Sequence, residues 1–196
     1  MAARRSVADR LDAVVPDFDA LIGAVGLTSD QVGRPECWIS LNAVCRLFEL
    51  AAVRCSDPGF GLHYAVEFPR GGTGLIAHVV LTAPTVRHAL KALADYIKLH
   101  NSMPAEYVEN EGVGRFRLGW PTSLTAPRLQ VTDFAVALIV IRIRMVVGPG
   151  WRPSKVEFDH RRPADVREYH RVLGPNLHFD KPTNEIVFDP TTLGQP

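Results

Sequence analysis

The nineteen residues from Leu129 to Val147 contain neither glycine nor proline. Phe134, Leu138, Ile141 and Met145 recur at helical spacing within them, so the run predicts one helix of about five turns. Many of its residues are β-branched, which works against a helix only weakly when tertiary packing favours one. The apolar part, Phe134 to Ile141, is too short to cross a bilayer and meets Arg142 at once. A helix this apolar has to lie inside the fold, with the rest of the chain layered around it.

The segments before it read as shorter helices. Val7 to Val15 is amphipathic and ends at Pro16. Phe18, Leu21, Ile22 and Val25 share a face, with Gly26 as the stop. Ser40 is placed to cap a helix from Leu41 to about Cys55, whose apolar side carries Leu41, Val44, Cys45, Phe48, Ala51 and Ala52. Asp57-Pro58-Gly59 breaks it, and a short helix with Leu62, Ala65 and Val66 inward follows. Thr85 then caps a helix from Val86 to about His100, with Val86, Ala89, Leu90, Leu93, Tyr96 and Ile97 on its apolar side.

The periodicity then switches to two. Glu106–Glu111 and Val113–Trp120 alternate about Asn110-Glu111-Gly112, a hairpin pattern with Arg115 and Arg117 on one face and Phe116 and Leu118 on the other. Beyond the long helix, the Pro- and Gly-punctuated tail reads as a strand, a helix from about Ala164 to Leu173 and two more strands. Trp151, Phe158, Phe179 and Phe188 are its expected packing residues. The expected fold is α+β: a helical N-terminal half packed on a small, mainly antiparallel sheet, with a long central helix, residues 1–196 forming one domain.

Charge narrows the function. A formal net charge of +1 with only short basic clusters is poor material for a nucleic-acid surface. Cys37, Cys45 and Cys55 form no C-x-x-C pair, and the first fifteen residues have no apolar signal core. The expected setting is the reducing cytoplasm, with no membrane partner. None of the seven histidines stands in a metal-binding helical spacing, and no serine sits in G-x-S-x-G. The expectation is therefore a protein that is not an enzyme and uses no metal or cofactor.

A ligand pocket needs apolar walls and a few polar tips. The residue types that fit are Tyr64, His78, Tyr96, His100, Phe116, Phe134 and Leu138, with Arg70 and Arg142 as charged candidates. In Arg70-Gly71-Gly72-Thr73-Gly74, glycine lets the backbone approach an anion and Arg70 could pair with it. The same segment is also a plain loop in which Thr73 caps the next helix. A buried Arg142 calls for an anionic partner, either Asp133, Glu157 or Asp159, or an acidic ligand.

Three groups of residues then carry a resemblance. The first is Ile39-Ser40-Leu41 into Leu47-Phe48-Glu49-Leu50-Ala51-Ala52, closing on Asp57-Pro58-Gly59-Phe60-Gly61-Leu62. The second is Gly72-Thr73-Gly74-Leu75-Ile76-Ala77-His78, then Ala83-Pro84-Thr85-Val86, Ala89-Leu90 and Asp95-Tyr96-Ile97, where the family usually has Arg in place of Asp95. The third is Gly150-Trp151-Arg152-Pro153, Lys155-Val156-Glu157-Phe158-Asp159-His160, Leu177-His178-Phe179 and Asn184–Asp189. Together they resemble the N-terminal effector-binding domain of AraC/XylS transcription regulators, in the branch of ornithine-utilisation and mycobacterial virulence-gene activators. The resemblance implies a small-metabolite effector (amphipathic and acidic ones among the candidates), a homodimer, and DNA contact only through a helix-turn-helix domain that follows and that this chain does not contain. Two other readings remain open on the residues: a ligand-free dimerisation module using the exposed part of the Val131–Val147 helix, and a small enzyme.

Overall fold

Helix α7 (Leu129–Val147) runs unbroken through the middle of the molecule, as its sequence predicts. The structure is a computed structural model and describes residues 15, 17–33, 38–72, 75–97 and 102–196. The predicted helix over 7–15 lies outside the described residues except for Val15, as do Cys37, Thr73, Gly74 and His100. Of the nineteen residues of α7, Val146 alone is exposed. Most of the helix is therefore enclosed by the rest of the fold.

Ahead of α7 come α1 (Phe18–Ala24), α2 (Ser29–Gly33), α3 (Leu41–Arg54), α4 (Phe60–Glu67), α5 (Leu75–Leu81) and α6 (Val86–Tyr96). α3 buries Ala43, Cys45, Leu47, Phe48, Ala51 and Ala52, close to its expected face. Ser40 holds the N-cap position but makes no side-chain cap bond, whereas Thr85 accepts from the His88 N–H. In α4, Leu62 and Ala65 point inward as expected, but Val66 is exposed and Tyr64 takes the inner place. α2 carried too short an apolar pattern to be foreseen.

α3 and α4 pack against α7, and the α4–α7 contact is the most extensive between any two elements apart in sequence. Gly61 explains how close it is. A Cβ on Gly61 would sit 2.1 Å from the Gln130 carbonyl oxygen, so only glycine lets the two helix backbones meet there.

The second layer is a five-stranded sheet of order β1-β2-β5-β3-β4. Its strands are β1 (Ala105–Asn110), β2 (Val113–Leu118), β3 (Lys155–Glu157), β4 (Leu177–His178) and β5 (Asn184–Phe188). Pairing is antiparallel except between β3 and β4. The hairpin turns through Glu111 and Gly112, both at positive φ, as a two-residue turn of the primed type requires. Phe116 pairs with Ile186 and Ile186 with Val156, which sets one buried apolar row across three strands. The opposite face carries a charge ladder. Arg115 and Arg117 donate to Glu185, each at 2.7 Å, and Arg117 also reaches Glu106.

α6 packs on β1 and β2, and α7 touches β5. Arg87 fastens α6 to β1 through a forked pair with Glu109, at 2.8 and 3.0 Å. Glu109 thus anchors the helix to the strand. Helices α8 (Arg167–Leu173) and α9 (Pro190–Leu193) close the C-terminal end. The tail aromatics pack as expected: Trp151 stacks on Phe188 and Phe158 on Phe179. This is the α+β architecture read from the sequence, with the strand order supplied by the structure.

Candidate functional site

The sequence-predicted site residues are only partly brought together, and those that meet do so along the α4–α7 seam. Helical spacing puts Phe134, Leu138 and Arg142 in one row on α7, four residues apart. Tyr64 and Phe68 come from α4 and its C-terminal end. Phe134 lies 5.3 Å from both rings, and Phe48 of α3 and Phe60 complete an aromatic cluster. Tyr64 and Phe134 are buried, and Leu138 is half-buried against the same core.

Arg142 ends this row and is 8% exposed. Its expected acidic partners are all engaged elsewhere: Asp133 with His160, Glu157 with Lys155, and Asp159 with Arg128. Instead its Nη2 donates to the carbonyls of Phe68, at 3.0 Å, and Pro69, at 2.6 Å. Nη1 reaches the Met145 sulfur at 3.4 Å, and Nε is buried without a hydrogen-bond partner. Carbonyl dipoles at a helix C-terminus can hold a cation, and the bonds Arg142 makes go to these rather than to a carboxylate of its own chain.

The same carbonyls belong to the glycine-rich turn. The Gly72 N–H also donates to the Pro69 oxygen, at 2.9 Å. A Cβ on Gly72 would lie 2.4 Å from the Phe68 ring, so the turn folds directly over that side chain. Arg142 therefore pins the glycine-rich turn to α7. Arg70 stands in the turn itself and is exposed. Burial, and then the Arg70 charge, both push the Arg142 pKa down.

The remaining candidates lie elsewhere. Phe116 is fully buried on β2, in the apolar row of the sheet. His78 on α5 is exposed, and Tyr96, expected on the apolar side of α6, is 45% exposed. His100 falls outside the described residues.

Sequence reasoning missed a buried polar cluster at the other end of α7. Asp133 is wholly buried and accepts from the Tyr169 hydroxyl on α8 and from His160 Nε2, at 3.1 Å. His160 Nδ1 faces the Arg161 carbonyl at 2.9 Å, and a carbonyl only accepts, so Nδ1 carries a proton. Burial opposes charge on this ring, but the Asp133 bond and charge outweigh it and raise the His160 pKa. Glu49 of α3 accepts from the Gln130 N–H, at 2.9 Å, and so caps α7 from another helix. Gln130 in turn accepts from the Gly61 N–H at 2.8 Å and donates to the Pro58 carbonyl at 2.9 Å. An acid inside an apolar helix, such as Asp133, was the available signal; its partners lie 27 and 36 residues away in sequence.

His63 forms a second link of this kind. Its two ring nitrogens face Asp57, at 2.8 Å, and Glu168 of α8, at 3.1 Å. Burial disfavours its charged ring, yet the two carboxylates prevail and its pKa is raised. Cys45 is buried beside Glu49, and its thiol is pushed up to about 12 by burial, then by that charge. A thiol so placed is a packing group, not a nucleophile. Among the described residues no group of His, Cys, Asp or Glu could hold a metal ion, and no helix is long and apolar enough to cross a membrane.

Comparison with known proteins gives this fold a family. A crystal structure of the transcriptional regulator CdpR from Pseudomonas aeruginosa superposes with a TM-score of 0.60 at 14% identity, covering 89% of this chain and 54% of that one. The chain thus spans about half the length of the regulator it matches, and at this identity the likeness is one of fold. No curated protein sequence matches. The family model described as the arabinose-binding domain of AraC transcription regulators, N-terminal, matches residues 16–196. Nearly the whole chain is covered by that match, and the chain belongs to the family of N-terminal arabinose-binding domains of AraC-type transcription regulators.

Proposed function

We propose that this chain is a ligand-sensing regulatory domain that binds a small metabolite along the α4–α7 seam, without catalysing a reaction on it. The observation that carries this reading is the family match over residues 16–196. The architecture supports it: α7 touches the helical layer, α8 and the sheet alike, so a ligand beside it bears on every layer. Such a ligand shifts a conformational equilibrium only through different affinities for the two states. The output belongs to a DNA-binding unit carried with this domain in the cytoplasm, in a homodimer. Within the family, the three sequence groups favour the branch of ornithine-utilisation and mycobacterial virulence-gene activators.

Native mass spectrometry of the purified chain, before and after solvent extraction, tests the reading. A co-purifying small molecule, or a raised Tm with a compound from a metabolite panel, is the expected result. A protein that carries nothing and gains no thermal stability across the panel contradicts it.

A further inference from the structure

We infer that Arg142 and Arg70 form an oxyanion subsite at the end of the α4–α7 seam, and that the effector is a carboxylate or phosphate on an apolar body. This deepens the sensor reading and rests on it.

Four observations converge. Arg142 is more than nine-tenths buried, yet among the described residues no carboxylate is bonded to it. Its Nε–H is buried and unpartnered, a donor with an acceptor missing. A second arginine, Arg70, directly follows Pro69 in the very turn that Arg142 pins. Among the described residues no acid bonds to Arg70 either. An arginine that only closes off the C-terminal end of α4 explains the carbonyl bonds of Arg142 but not its unused donor. An oxyanion accepts from the unused Arg142 Nε–H and from the Arg70 guanidinium, and offsets both charges. The apolar body is indicated by the flanks: Phe68 is buried, and Leu138 and Met145 are half-buried. Gly71 leaves the approach open, since a Cβ there would meet nothing within 4 Å.

The probes are octanoate, octyl phosphate and octanamide, which share one chain and differ in head group. Calorimetric titration of the purified chain should show at least one of the anions binding about tenfold or more tighter than the amide. Arg142 is a core residue whose removal endangers the fold, so the test rests on exposed Arg70. Arg70→Gln should weaken the bound anion about tenfold, leave octanamide unchanged and keep the wild-type unfolding curve. Equal affinity for amide and anions overturns the inference, as does an Arg70→Gln variant that binds the anion as before, or a wild type that binds neither anion. The sensor reading fails separately: a neutral co-purifying metabolite would sustain it while removing the oxyanion subsite, and a protein that binds nothing removes both.

Discussion

Single residues in this molecule are decided by how closely their neighbours approach. Gly61 is the sharpest case, because the group that a new Cβ would strike is the Gln130 backbone, which cannot swing aside as a side chain can. Gly61→Ala should cost about 2 kcal/mol or more, read as a lower urea midpoint with an unchanged slope. An unaffected midpoint would show that α4 and α7 do not meet as closely as described. Glu185 is the second case. Burial opposes its charge, but Arg117 and Arg115 outweigh burial and hold its carboxyl below the ordinary glutamate range. The linkage runs in one direction: its contribution is present above the unfolded pKa, near 4.5, and is lost as pH falls through the depressed folded value. Glu185→Gln should therefore lower stability at neutral pH and narrow the gap to wild type in acid, which urea titrations at pH 7 and about pH 3 would resolve.

Elements are joined by a few polar contacts whose protonation matters. Helix α8 reaches the helical layer through Glu168, bonded to His63 on α4, and through Tyr169, bonded to Asp133 on α7. His63 faces a carboxylate on each nitrogen, and neutral imidazole has only one N–H, so the full link needs the protonated ring. The surrounding charges are Asp57 from the loop before α4, and Glu168 with Arg171 from α8. A raised histidine pKa contributes stability that is complete below the unfolded value, near 6.5, and lost as pH rises through the folded value above it. His160 acts with the same sign. The wild type should lose stability as pH rises through the range above 6.5, and His63→Gln should start lower and fall less. A wild-type profile flat across that range would show that the docking of α8 is not proton-linked.

For the whole molecule, the polar cluster at one end of α7 and the arginine-pinned turn at the other make that helix the common strut. A metabolite bound beside it at a hundred times its Kd would stabilise the fold by about 2.7 kcal/mol. That appears as a concentration-dependent rise in Tm, and protection from hydrogen exchange should extend along both α4 and α7. Protection confined to the exposed faces of α5 and α6, where His78 and Tyr96 sit, would place the ligand elsewhere.

Much of this fold was legible because it rests on local periodicity. The apolar run without a helix breaker defined α7 at both ends, and alternation about Asn110-Glu111-Gly112 defined the hairpin and its two faces. Those patterns arise from 3.6- and 2-residue repeats that a linear chain displays directly. Strand order was not legible, since pairing β5 between β2 and β3 depends on backbone hydrogen bonds blind to side-chain type. Nor were the partners of the buried charges. Arg142 had three acids available by reasonable guess, and each proved paired with a different basic residue, while two carbonyls and a thioether took the arginine. Sequence by itself determined the main helices, the hairpin and most of the core, because that is local geometry and hydrophobicity. Only the tertiary structure decided which polar group meets which, because buried charge is settled by distance in space, and distance in space is not written along the chain.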